Sequence, residues 1–248
     1  MLIGAVHLDP LPGSPRWGGD MDAVVRNARQ DTDAFVNAGF DGVMFENFND
    51  VPFEPTSSMT TVAAMTAVIT RAADGLAIPF GVNVLRNGAE AAVTIATATG
   101  AKFIRANVYV YAAVCDQGTV NGCADRVQRL KRLLDSDVKV YADVHVKHAR
   151  SLAPSLEDEA RDAVDRGLAN ALIVSGPATG APPDTNDLDR VRGVVDVPVL
   201  IGSGATVHTA SDLLGHADGV IVASALKRGG RVDPDLATAF ERAARGRA

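Results

Sequence analysis

The chain has 248 residues, 47% apolar and 22% charged, with a formal net charge of -6. That is the make-up of a globular domain, and it excludes a basic nucleic-acid face as well as, with aromatics at 5%, a base-stacking platform. No run approaches the roughly 20 apolar residues of a membrane span, and no basic stretch precedes an apolar one near residue 1, so no signal peptide is expected.

Short apolar runs alternate with longer amphipathic segments. Strand 2–8 (LIGAVHL) ends in His7 and is followed by helix 21–38. Strand 41–46 ends in Glu46, with Asn47 and Asp50 beyond, and leads to helix 58–74. Strand 78–84 carries Asn83, with Arg86 and Asn87 following, and leads to helix 88–99. Strand 102–108 carries Arg105 and Asn107 before helix 122–135. Strand 138–146 carries Asp143 and His145, with Lys147 next, before helix 155–166. Strand 169–175 ends in Ser175; the loop 176–183 (GPATGAPP) with Thr179 leads to helix 184–195. Strand 197–202 runs into Gly202-Ser203-Gly204 and helix 206–215. Strand 218–224 ends in Ser224, before helix 233–244. Gly39, Gly100 and Gly167 read as C-caps, because glycine takes the left-handed conformation cheaply.

Eight strand-helix repeats imply parallel strands. The expected fold is α/β, a single-domain (β/α)8 TIM barrel over residues 1–248, with an open doubly wound sheet as the alternative. No GxGxxG turn follows the first strand, which counts against a dinucleotide fold. Cys115 and Cys123 form no CxxC and read as reduced thiols of a cytoplasmic protein.

Barrels of this kind do their chemistry at the C-terminal ends of the strands. The stretch VYADVHVKHA (140–149) is the most informative. Alternation puts Asp143, His145 and Lys147 on one face and Val140, Ala142, Val144 and Val146 on the other. On that reading Glu46, Asp143 and His145 move protons, and Lys147 and Arg105 stabilise developing negative charge. His7, Asn83, Arg86, Asn107 and Ser175 are expected to bind substrate, and Gly202, Ser203, Gly204 and Ser224 to cradle a phosphate with help from the following helix. An Arg105 ion pair with Glu46 or Asp143 is the structural alternative. Lys147 is expected at the wet rim as a cation that pairs with a carboxylate or contacts the ligand, without a covalent intermediate. No cofactor is expected. His7, Glu46, Asp143 and His145 are the set that a divalent metal would use, although no HxH or HExxH spacing supports one. His208 and His216 read as solvated.

The stretches AVHLDPLPGSP (5–15), GFDGVMFENFNDVPF (39–53), GVNVLRN (81–87), GAKFIRANV (100–108), ADVHVKHA (142–149), ALIVSGPATG (171–180), PVLIGSG (198–204) and DGVIVASALK (218–227) resemble the BtpA family (BtpA/SgcQ) along nearly the whole chain. The resemblance implies a barrel like those of ribulose-phosphate-binding enzymes. It also brings a link to photosystem I biogenesis in cyanobacteria and, for other members, a nucleoside triphosphatase label that no Walker motif supports here. The family pattern leads one to expect glycine at position 49, an acid at 88 and a small polar residue near 115, where this chain has Asn49, Gly88 and Cys115. The expected function is an enzyme of aldolase, isomerase or epimerase type on a small phosphorylated sugar or related metabolite. A non-catalytic assembly factor and a metal-assisted phosphohydrolase are the alternatives. The expected partner is a small phosphorylated ligand, not nucleic acid, and the expected state is a homo-oligomer.

Overall fold

The computed structural model describes residues 1–176 and 180–246; Thr179 therefore lies outside the described residues. Eight parallel strands close into a barrel: β1 (Leu2–His7), β2 (Gly42–Glu46), β3 (Phe80–Asn83), β4 (Phe103–Ala106), β5 (Lys139–Val144), β6 (Ala171–Val174), β7 (Val199–Ile201) and β8 (Gly219–Val222). Each pairs with its neighbours in sequence, and β8 returns to β1. Between and after them run α1 (Met21–Asn37), α2 (Met59–Ala72), α3 (Ala89–Thr99), α4 (Ala124–Leu133), α5 (Leu156–Asp165), α6 (Thr185–Arg192), α7 (Ala210–Gly215) and α8 (Pro234–Ala244). The chain is thus a single-domain (β/α)8 barrel, and the open-sheet alternative falls because β1 and β8 are hydrogen-bonded partners.

Side-chain alternation divides the strands into two cores. Outward residues such as Val6, Phe45, Val82, Ile104, Val140 and Leu172 merge with the helices. Inward residues Ile3, Ala5, Met44, Phe103, Ile173, Leu200 and Ile221 form a separate apolar plug, with the Phe103 and Tyr141 rings stacked at 4.7 Å. One pleat higher the inward positions turn polar. Five of the eight helices start on side-chain caps: Asp20, Ser58, Ser155, Asp184 and Asp233 each accept a backbone N–H of the first turn. No helix among the described residues is long and apolar enough to cross a membrane.

Three features depart from the expected elements. Gly167 is not a left-handed C-cap: the cap is Arg166 and the positive φ of this turn falls on Leu168, at 58°. Gly167 is needed for space, since a Cβ there would stand 2.7 Å from the Tyr109 ring, whose hydroxyl donates to the Gly167 carbonyl. The helix after β7 starts at Ala210 rather than 206, with a turn between. Finally, an antiparallel sheet of residues Ala112–Cys115, Gly118–Asn121 and Ala149–Ser151, and a short hairpin of Lys227–Arg228 with Arg231–Val232, are inserted in the loops.

Candidate active site

Strand register assembles the site. His7 pairs with Glu46, Glu46 with Asn83, and Asn83 with Arg105, so four adjacent strands present their inward polar residue at one level. All four are buried. Asn83 Nδ2 donates to Glu46 Oε2 at 2.7 Å, and His7 Nε2 lies 3.9 Å from Glu46 Oε1. Asp143 and Asn107 come from the next pleat. Arg105 grips Asp143 in a two-pronged pair, Nε to Oδ2 at 2.8 Å and Nη2 to Oδ1 at 2.7 Å, and Asn107 Nδ2 donates to Asp143 Oδ2 at 2.8 Å.

Two connected hollows open above this layer. The larger, about 350 Å³, is bounded by His7, Glu46 and Arg105 on one side and by the loops Gly202–Thr206 and Val222–Ala225 on the other. The smaller, about 180 Å³, is bounded by Asn83, Arg86, Asn107, Phe53 and His148. Glu46, Phe48, Arg105 and Lys147 line both. Phe48 escaped the sequence reading; its ring stacks on His7 at 4.1 Å and forms the apolar wall between the polar groups. The one available signal was an aromatic immediately after Glu46-Asn47.

Most expected site residues converge here. Ser175 sits just behind, where its hydroxyl fills the space that a Cβ at Gly202 would need. Gly204 has φ 82° and its Cα faces the Ala181 carbonyl, so a side chain there would overlap backbone. Ser224 is exposed at the rim. The helix support expected directly after Gly202–Gly204 is corrected, since α7 begins six residues past Gly204, whereas after β8 a short 3-10 turn, Ser224–Leu226, does begin at the hollow.

His145 is a correction. Its φ is 47°, so the chain leaves the extended conformation directly after β5 and the alternation stops. The ring turns outward to α5, where Nε2 lies 3.5 Å from Glu159 Oε2, and it lines neither hollow. The expected metal set of His7, Glu46, Asp143 and His145 therefore does not gather, and no three such side chains converge among the described residues. Asp143 is committed to Arg105 and Asn107 and lines neither hollow. Arg86 lines the smaller hollow but is also engaged by the inserted sheet, with Nε donating to Gln117 Oε1 at 3.3 Å and Nη2 3.6 Å from Asp116 Oδ1.

Asn47, beside Glu46 in sequence, does a different job. It is buried, accepts the Leu85 N–H and donates to Asp50, which in turn accepts the Leu11 N–H. It ties together the loops after β1, β2 and β3. Asn49 donates to the Leu8 carbonyl at 2.7 Å, and Ser57 occupies the place that a side chain at Gly88 would take.

The electrostatics separate the roles. Burial, reinforced by Lys227, Lys147 and Arg105 and opposed by Glu46, pushes His7 down to about 4, so it is a neutral imidazole at physiological pH. Burial alone would raise Glu46, but His7, Arg105, the Asn83 N–H and Lys147 together hold it below the usual carboxylate range. Lys147 is pushed below the ordinary amine range by burial first and by Arg105 second, against the pull of Glu46 and Asp143. Among the described residues no carboxylate lies within 4 Å of its amine. The carboxylate partner, one of the two expectations, is therefore not found, and Lys147 is part-buried between the hollows rather than at a wet rim.

A closed (β/α)8 barrel with a polar mouth on its C-terminal face, where an acidic-basic cluster faces two βα loops, defines a TIM-barrel protein. The fold comparisons agree: tryptophan synthase from Mycobacterium tuberculosis aligns at TM-score 0.65 and 19% identity over 98% of this chain and 92% of that one. A native KDPGal structure aligns at 0.61 and 18% over 99% and 95%. The chain belongs to the BtpA family, whose profile matches residues 1–246. Relatives include an uncharacterized protein of Thermococcus kodakarensis, 46% identical over 95% of this chain and 90% of that protein, and the photosystem I biogenesis protein BtpA of Synechocystis, 45% identical over 96% and 86%. An uncharacterized mitochondrial protein of Caenorhabditis elegans is 34% identical over 95% and 88%.

Proposed function

We propose that the chain is an enzyme that binds a small phosphorylated sugar or related metabolite in the barrel mouth and acts on it by aldolase-, isomerase- or epimerase-type acid–base chemistry, without a cofactor. The observation that carries this is a set of buried polar atoms with no partner among the described residues: Asn83 Oδ1, Asn107 Oδ1, Ser175 Oγ and Ser203 Oγ. Leaving such atoms unpaired costs about 1–3 kcal/mol each, which a bound ligand offsets. The two amides are oriented by Glu46 and Asp143, which take their N–H groups. Their oxygens are left as acceptors and call for hydroxyl donors. The larger hollow, with Arg105, Lys147 and the Gly202–Ala205 and Ala223–Ala225 loops, suits an anion. A hydroxyl-bearing body ending in a phosphate matches both. Glu46, a carboxylate at neutral pH, is the proton acceptor, and Arg105 and Lys147 face the charge that develops.

The Synechocystis relative's name favours an assembly role instead. Relatives in Thermococcus kodakarensis and Caenorhabditis elegans, 46% and 34% identical, carry no such name, and the polar groups gathered at the barrel mouth favour the enzyme. Thermal-shift titration with inorganic phosphate and a panel of sugar phosphates tests the proposal, because a ligand bound by the native state at 100 times its Kd adds about 2.7 kcal/mol. Stabilisation by phosphorylated members and not by their dephosphorylated forms is expected. An unmoved Tm with every phosphorylated compound refutes it.

A further inference from the structure

Of the five lysines, Lys102 and Lys139 are exposed, and Lys131 and Lys227 are part-buried but line neither hollow. Lys147 instead lines both hollows, at their junction, together with Glu46, Arg105 and Phe48. It arrives there through the turn at 147–148, after the left-handed His145, so its stem is carried in from the loop rather than along the strand. The carboxylate that would have paired it, Asp143, has its oxygens occupied by Arg105 and Asn107. The groups that act on it from the surrounding strands are Arg105 and Arg86, which disfavour a charged amine, and Glu46 and Asp143, which favour it; burial decides the balance.

Resting on the reading of the mouth as a phosphorylated-metabolite site, we infer that Lys147 is a nucleophile that forms an imine with the carbonyl of an aldehyde or ketone phosphate seated across the two hollows. The amine lone pair attacks the carbonyl carbon, forming the N–C bond while the π pair moves to oxygen. The oxygen and nitrogen exchange protons to give a carbinolamine. Its hydroxyl leaves as water with a proton supplied from solvent at the open mouth, and the cationic C=N remains on Lys147. That cation accepts the electron pair released when Glu46 removes a proton from the adjacent carbon. Glu46 returns the proton to carbon, which restores the cationic C=N; water then adds to that carbon and expels the amine, releasing the carbonyl product and free Lys147. The substrate class is therefore narrowed to carbonyl compounds bearing a phosphate.

Reductive labelling reads this directly. The protein at pH 7.5 is exposed briefly to glyceraldehyde 3-phosphate or to propanal with cyanoborohydride, with and without inorganic phosphate, and each lysine is quantified by peptide mass spectrometry. Lys147, which lines both hollows, is expected to carry the label several-fold ahead of Lys102 and Lys139 at early times. Phosphate is expected to slow its labelling by glyceraldehyde 3-phosphate. K147R, folded by circular dichroism, is expected to lose that label alone. If phosphate stabilises the protein yet Lys147 labels no faster than Lys102, the imine is overturned and the phosphate site stands. If both aldehydes single out Lys147 and phosphate changes nothing, the nucleophile stands and the phosphate site falls. Uniform labelling without a phosphate effect overturns both.

Discussion

Truncating Asp143 to alanine tests the foundation of the site. The Arg105 and Asp143 side chains are 5% and 0% exposed and share two short hydrogen bonds, with a third from Asn107. Asp143→Ala leaves a buried guanidinium and a buried amide without their acceptor. Removing one partner of such a pair costs about 3–5 kcal/mol. Glu46 also faces Arg105 and recovers part of that, which puts the expected loss near the lower end, about 3 kcal/mol. For a domain of this size each kcal/mol moves Tm by about 2–4 °C, so a drop of about 6–12 °C is expected. Urea unfolding monitored by circular dichroism gives the free energy directly. The double replacement Arg105→Met with Asp143→Leu removes both charges and should restore stability to within about 1 kcal/mol of the parent while abolishing ligand binding. A loss below about 1 kcal/mol for Asp143→Ala, or a double variant no better than the worse single, refutes a desolvated, mutually dependent pair.

Three further outcomes follow from the same geometry. His7 is held down to about 4, whereas the unfolded chain accepts that proton near 6.5; stability contributed by neutral His7 is full above pH 6.5, declines as the pH falls, and is lost by about 4. The difference is roughly 3 kcal/mol, and His7→Asn should flatten that part of the stability–pH curve; an unchanged slope contradicts it. Ala225→Asp puts a carboxylate on the exposed rim of the larger hollow and should erase the phosphate-induced thermal shift without lowering the ligand-free Tm, whereas Gly204→Asp should lower that Tm itself because its side chain would meet the Ala181 carbonyl. Gly81→Ala drives a methyl into the Phe103 ring at the barrel plug and should cost about 1–3 kcal/mol in a urea titration, with phosphate binding weakened if the plug shifts.

The alternation of apolar runs and amphipathic segments was enough to specify eight parallel strands, because parallel pairing forces a helix between each two and every strand must bury both faces. It also placed Glu46, Asn83 and Arg105 at one end, since a polar residue closing an apolar strand has only the barrel mouth to face. What the sequence could not say is which polar groups answer one another. Arg105 had both Glu46 and Asp143 as candidate partners, and only the relative offset of β4 and β5 put the guanidinium fork on Asp143 and left Glu46 to Asn83 and His7. Period-two reasoning also holds only while the backbone stays extended. It carried Asp143 inward correctly, failed at the left-handed His145, and reached Lys147 by a route the chain does not take. Asn47 and Asn83 look alike as strand-end amides, yet one ties three loops together and the other faces the cavity. That distinction, like the unpaired state of the Lys147 amine, comes from the packing of loops against each other and is a property of the closed barrel alone.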